Sequence, residues 1–379
     1  MRVRRSAFAL SAVTAVALAG VPFASANAAT AQPRDAVQQG LDGLVRDDGF
    51  PAGLASVRQP DGRVRNYTSG VADLKTRAKV PVDGRVRIAS NTKMFTAVVV
   101  LQLVGEGKIG LDEPVERYLP GKIKGNGRES RNITVRQLLQ HTSGLPDYDT
   151  VIFADGIVPV LHRHFEVQEL LDAAFSTTGD TAQGTFSYSN TNYVLAGLIV
   201  QKVTGRPISE EITNRILTPA GMRDTYWPGV GDQQIRGVHP QGYHRTTPDE
   251  AYTDVTELDP SPSWAAGALI GTPGDLNRFM VALISGKLLK PAQMAEMQTT
   301  VPAPDFDASG QNGYGLGLAT FKLTCGGAGW THGGNAPGFS TVNAVTTSGK
   351  AATIVVTALP TALEQVAHME SVLDTALCR

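Results

Sequence analysis

A chain of 379 residues, 42% hydrophobic and 18% charged, has enough apolar content for a sizeable globular core. Its formal net charge of −1 lacks the basic excess of a nucleic-acid binder, so no nucleic-acid partner is expected. Beyond the first residues, nothing approaches about 18 uninterrupted apolar residues, so no transmembrane segment is expected.

The N-terminus reads as a secretory signal peptide over residues 1–28. Arg2, Arg4 and Arg5 form a positive start, Ala7 to Val21 is small and apolar, and Ala24-Ser25-Ala26 and Ala26-Asn27-Ala28 are both cleavage-type sequences. The mature protein is therefore expected to be secreted. Removing this segment takes away three arginines and no acid, and the formal charge moves from −1 to −4.

Residues 35–47 place Val37, Leu41, Leu44 and Val45 on one helical face. Ala52 to Val57 and Val64 to Val71 flank Gln59-Pro60-Asp61-Gly62 and predict a β-hairpin. Next comes Ile88-Ala89-Ser90-Asn91-Thr92-Lys93, opening an apolar helix that ends near Gly105 to Gly107. To about residue 290 the pattern is helical, joined by polar, Pro- and Gly-rich loops. Thr134 caps a short helix, His141 to Tyr148 is a loop, Tyr193 to Val203 is a helix, and Thr272-Pro273-Gly274-Asp275 starts another. Residues 300–313 read as a linker. Strands follow at Tyr314 to Leu323, Gly329 to Gly333, Phe339 to Thr346 and Ala352 to Ala358, then a last amphipathic helix from Ala362 to Leu377.

Strand-rich ends around a helical middle predict an α+β fold. One antiparallel sheet would be built from residues 29–87 and 301–379, with the two terminal helices on one face. The helical part, 88–300, would pack on the other face and leave a cleft, where pockets form readily. Two cysteines, Cys325 and Cys378, both lie in the exported part. They predict one disulfide, the alternative being two free thiols.

Residues three apart on a helix share a face, so Lys93 can sit beside the Ser90 hydroxyl. A serine needs an adjacent base to act as a nucleophile. A lysine at a helix N-terminus among apolar residues has its charged form disfavoured, and a neutral, proton-accepting lysine follows. Tyr188-Ser189-Asn190 lies just before a helix, and His332-Gly333-Gly334 lies on a C-terminal strand. Ser-x-x-Lys, Tyr-x-Asn and His-x-Gly each occur once, in that order. Each alone is weak, and three converging on one cleft are not. His162 and His164 have no cysteine or carboxylate cluster to join them, so no metal and no cofactor are expected.

On these motifs the sequence resembles the penicillin-interacting serine hydrolases: class C β-lactamases, secreted D-alanyl-D-alanine carboxypeptidases, and related esterases and D-aminopeptidases. The resemblance extends through Gly70-Val-Ala-Asp-Leu, Arg87-Ile-Ala-Ser-Asn-Thr-Lys, Ile133-Thr-Val-Arg-Gln-Leu-Leu-Gln-His-Thr-Ser-Gly-Leu and Tyr314-Gly-Leu-Gly-Leu. It implies the β-lactamase/DD-peptidase fold and a disulfide like that of the secreted carboxypeptidases. By this resemblance Ser90 is the nucleophile that forms an acyl-enzyme, and Lys93 and Tyr188 share its proton chemistry, with the general base left open between them. His332 sets a polar or cationic group beside Tyr188. Gly334 lets the strand approach the substrate, and the N–H groups of Ser90 and Asn335 form the oxyanion hole. Asn190 donates to the substrate amide, and Trp264 walls the pocket.

One departure stands out. Carboxypeptidases of this kind grip the substrate carboxylate with an arginine and two hydroxyl residues. The corresponding positions here look like Ala319, Gly333 and Asn335. The expectation is a monomeric, secreted serine hydrolase acting on peptide or β-lactam small molecules, foremost a D-alanyl-D-alanine carboxypeptidase acylated by β-lactams. A β-lactamase, an esterase or D-aminopeptidase, and a slowly deacylating penicillin-binding sensor are the alternatives.

Overall fold

The amphipathic run Ala36–Arg46 is a helix capped by Asp35, whose carboxylate accepts the Val37 N–H at 3.0 Å. The structure is a computed structural model that describes residues 35–124, 132–178, 182–304, 306, 310 and 312–379. Residues 1–28, expected to be a signal peptide, lie outside the described residues. Val37, Leu41 and Leu44 join a buried cluster with Met369, Val372 and Leu373 of the last helix, Leu363–Cys378. Both helices pack on one face of a nine-stranded sheet, through Ala55, Val57, Ile354 and Val356.

The sheet is antiparallel throughout. Its order runs Val64–Gly70, Ala52–Arg58, Ala351–Val356, Phe339–Thr346, Ala328–Thr331, Ala319–Lys322, Gly313–Tyr314 and Val301–Pro302. Gly334–Ala336 pairs separately with Phe339–Thr346, Gly334 facing Thr341 and Asn335 facing Ser340. N- and C-terminal strands thus meet side by side within one sheet, where Gly53 lies opposite Val356. Central strands buried on both faces are apolar nearly without interruption.

On the opposite face lies the helix Pro273–Ile284. Thr272 caps it by accepting the Asp275 N–H, and Asn277 donates to the Ser56 carbonyl at 2.9 Å. Phe279 stacks on Phe95 with centroids 3.9 Å apart, which ties this helix to the largely apolar helix Thr92–Gly105. Around that helix the largest buried cluster forms, and the cleft opens between it and the strand Gly334–Ala336. Residues 35–379 form one compact unit.

Three expectations about the C-terminal strands need correction. The stretch 300–313 is more than a linker, because Val301–Pro302 and Gly313–Tyr314 are the last two strands at one edge of the sheet. The run from Tyr314 to Leu323 is broken by a turn, closed by the Gly315 N–H on the Leu318 carbonyl, with Gly317 at φ +79. The strand before the His-x-Gly motif ends at Thr331, so His332 and Gly333 occupy a break between two strands. Cys325 and Cys378 form a disulfide across 53 residues, tying the turn after Ala319–Lys322 to the end of the last helix. No helix among the described residues is long and apolar enough to cross a membrane.

Candidate active site

Ser90 sits in a single helical turn, Ala89–Asn91, immediately before the helix Thr92–Gly105. Ala89 has φ +49, a left-handed conformation uncommon for a residue with a side chain. The turn is held by Asn91, whose Nδ2 donates to the Ile88 carbonyl at 2.7 Å. Lys93 follows on the next turn and is completely buried. Its Nζ reaches Ser90 Oγ at 3.0 Å, Asn190 Oδ1 at 2.6 Å and the Ala266 carbonyl at 2.9 Å. Burial brings the Lys93 pKa down to about 7, against the pull of Asp147 and Asp149 in the other direction. At neutral pH a large fraction of Lys93 is therefore an uncharged amine beside the serine hydroxyl.

Tyr188 lies in the extended segment ahead of the helix Asn190–Thr204, its ring centroid 4.8 Å from Lys93 Nζ. Burial pushes its phenol well above the usual tyrosine range, with a hydrogen bond to the Ser90 side chain opposing. The hydroxyl keeps its proton at any ordinary pH.

Asn190 does something other than expected. Oδ1 accepts from Lys93, while Nδ2 donates to Asp147 Oδ2 at 3.1 Å and to Asp149 Oδ2 at 2.8 Å. With both amide hydrogens directed at carboxylates, Asn190 is not a free donor for a substrate amide. It links the lysine to an acidic pair that sequence reasoning missed. Asp147 and Asp149 flank the buried Tyr148 and line the cleft. Burial, and for Asp149 the neighbouring Asp147, push both carboxyls up. The only signal in the sequence is a pair of acids two apart just after the Ser-Gly-Leu-Pro turn.

The facing wall is built by the C-terminal strands. His332 is 1% exposed. Its Nδ1 lies 2.6 Å from the Gly333 carbonyl, which can only accept, so Nδ1 carries the proton and Nε2 accepts from the Tyr314 hydroxyl at 3.0 Å. Burial and Lys93 lower its pKa to about 3. His332 is thus a neutral imidazole, and the cationic alternative does not hold. Gly334 is required by the protein itself. A Cβ there would lie 2.3 Å from the Ile88 carbonyl and 2.6 Å from Asn91 Nδ2. Asn343 anchors this wall to the serine turn, donating to the Asn91 side chain and to the His332 carbonyl. Asn335 points outward, accepting from Ser340 Oγ at 2.7 Å.

The cleft has a volume of about 530 Å³ and is lined by Ser90, Tyr188, Asn190, His332, Gly333, Gly334 and Asn335, with Asp147, Asp149 and Phe306. Trp264 is not part of it. Its ring packs on Gly197 of the helix Asn190–Thr204, and the adjacent Ser263, Ala266 and Gly267 face the cleft instead. Ala319 is buried against Ala303 and Tyr314, away from the opening. Among the described residues lining the cleft there is no arginine or lysine. His162 bonds to Gln233, and His164 lies beside Glu166 and Asp259. Among the described residues, no three metal-binding side chains gather.

Known proteins share this architecture. The Beta-lactamase family model matches residues 34–374. The structure superposes on the D-stereospecific amidohydrolase from Streptomyces sp. at a TM-score of 0.80 and 36% identity, covering 89% of this chain and 98% of that one. The D-amino acid amidase from Ochrobactrum anthropi SV3, complexed with L-phenylalanine amide, gives 0.78 at 29% identity, covering 90% and 96%. Among curated proteins, Protein flp of Staphylococcus aureus (strain NCTC 8325 / PS 47) is 33% identical over half of this chain and 38% of its own length. Penicillin-binding protein 4* of Bacillus subtilis (strain 168) is 27% identical over 73% of this chain and 61% of its own. This chain thus spans less than two thirds of either curated relative. It belongs to the Beta-lactamase family and has the fold of the β-lactamases and penicillin-binding proteins.

Proposed function

We propose that the protein is an amidase for small D-aminoacyl amides that carry a free amino group. One observation carries this reading: the cleft beside Ser90 is walled by Asp147 and Asp149, and no arginine or lysine lines it among the described residues. A carboxylate entering a largely desolvated site needs a cation or strong donors. A D-alanyl-D-alanine terminus meets no arginine or lysine among the described lining residues, whereas an ammonium group finds two carboxylates. Because burial raises both acids, the free site holds its negative charge reluctantly, and an incoming cation would complete it. The likeness to a D-stereospecific amidohydrolase and to a D-amino acid amidase supports the same reading.

The chemistry follows from the proton positions. Neutral Lys93 takes the Ser90 proton as Oγ attacks the amide carbon. The N–H groups of Ser90 and Asn335 hold the oxyanion, each worth about 2.7–4 kcal/mol in the transition state. The C–N bond then breaks as the Tyr188 hydroxyl gives its proton to the leaving nitrogen. The ammonium of Lys93 restores the Tyr188 proton, and water attacks the acyl-enzyme with Lys93 again as base. A β-lactam offers the same amide to the same serine, so acylation by penicillins belongs to this reading. The disulfide supports secretion into an oxidising compartment. A monomer is supported by a site drawn from a single chain.

The test is a kcat/KM comparison of D-phenylalanine amide, its N-acetyl derivative, L-phenylalanine amide and N-acyl-D-alanyl-D-alanine. The free D-amide should lead, and N-acetylation should cost at least about 30-fold, the worth of a charge-assisted contact. Faster release of D-alanine from the N-acyl peptide would overturn the proposal in favour of a carboxypeptidase.

A further inference from the structure

His141 takes no part in the chemistry just described, yet it is wholly buried directly behind Tyr188. Its backbone is held at φ +57, a conformation histidine adopts uncommonly. Three contacts fasten it to the Tyr188 segment. The His141 carbonyl accepts the Ser187 N–H at 2.8 Å, and Nδ1 accepts the Ser189 N–H at 3.2 Å. The imidazole stacks on the phenol ring, centroids 4.3 Å apart and planes 27° apart. Asn192 Nδ2 lies 3.1 Å from the same Nδ1. Since Nδ1 accepts, the ring proton sits on Nε2, and Nε2 has no hydrogen-bond partner. A buried donor left unpaired is costly, so a structural need for bulk alone would be better met by an apolar ring. Burial, with Lys93 and His332 nearby, keeps the imidazole uncharged.

Tyr188 itself precedes its helix, so no helical hydrogen bond fixes it. We propose that His141 is a positioning residue for Tyr188, clamping the backbone on both sides of the tyrosine and backing its ring so that the hydroxyl stays at Ser90. This rests on the reading that Tyr188 protonates the leaving nitrogen. A misplaced proton donor should then slow reactions whose leaving group needs a proton and spare those whose leaving group does not.

The test uses His141→Phe, which keeps a ring and loses the acceptor, and His141→Asn, which keeps an acceptor and tolerates the left-handed backbone. Amide turnover of D-phenylalanine amide is compared with turnover of p-nitrophenyl acetate, whose leaving group departs as an anion. The expected result, in either variant, is a kcat for the amide lower by about 10- to 100-fold with KM within about threefold, and ester turnover within about threefold of wild type. An equal fall for amide and ester would show a structural role only and overturn the assignment. So would wild-type amide turnover in both variants. If the wild-type protein does not cleave the D-amide, the substrate proposal fails. The His141 assignment is then decided by penicillin acylation, whose lactam nitrogen also needs a proton, against the same ester.

Discussion

The two walls of the cleft are built on opposite terms. On the helical wall, Lys93, Tyr188, Asp147 and Asp149 are all displaced toward their uncharged forms, each with burial as the largest cause. On the strand wall, His332 is neutral, Gly333 and Gly334 offer only backbone, and the side-chain amides of Asn335 and Asn343 carry no charge. In the proposed reaction, one wall moves protons and meets charge. The other sets distances. In a low-dielectric site these tasks separate well, because a titrating group needs its partners held still while a donor pair needs nothing that titrates.

That contrast can be broken from either side. Lys93→Ala should have the largest effect, a loss of about 10³-fold in kcat/KM for any acyl donor, since Ser90 is left without its base. Steady-state assays on amide and ester substrates check it, and a loss below tenfold would move the base elsewhere. Gly334→Ala comes next. Its Cβ cannot fit against the Ile88 carbonyl and Asn91, so the strand must move and carry the Asn335 N–H with it. A loss of about 10²-fold in kcat is expected, as for one oxyanion donor removed. Asp149→Asn should be milder and selective, raising KM for D-amino acid amides about 30-fold while leaving p-nitrophenyl acetate unchanged. Cys325→Ser should leave turnover at 25 °C unchanged and lower unfolding stability by about 4 kcal/mol, the chain-entropy value for a loop of 53 residues, measurable by urea titration.

Much of the fold, and the reacting half of the site, is legible in the amino-acid order. The helix carrying Lys93, with Ser90 in the turn before it, announces itself by an apolar run after a polar turn, and the hairpin around Pro60-Asp61-Gly62 by its turn chemistry. The two halves of the sheet, at opposite ends of the chain, are implied by strand-rich ends with a helical middle. The features that escape sequence reasoning are long-range or conformational. The strands Val301–Pro302 and Gly313–Tyr314 are two residues each, too short for alternation to show, and exist because the sheet edge offers them a partner. Asn190 reads as a substrate donor because nothing in the sequence places Asp147 and Asp149 beside its amide. Trp264 is assigned to the pocket wall by family resemblance, whereas the fold turns it onto Gly197, a space only a glycine leaves open. The reason for Gly334 is likewise a close approach between segments distant in the chain.

The most direct measurement is the pH dependence of Ser90 acylation by p-nitrophenyl acetate, a substrate with no titrating group. Lys93 accepts a proton only when uncharged, and its pKa is lowered to about 7. Acylation should therefore rise about tenfold per pH unit up to about 7 and level off above it, a limb that Lys93→Ala removes. A limb near 10, or a rate flat from about pH 5 to 9, would contradict the neutral-lysine site.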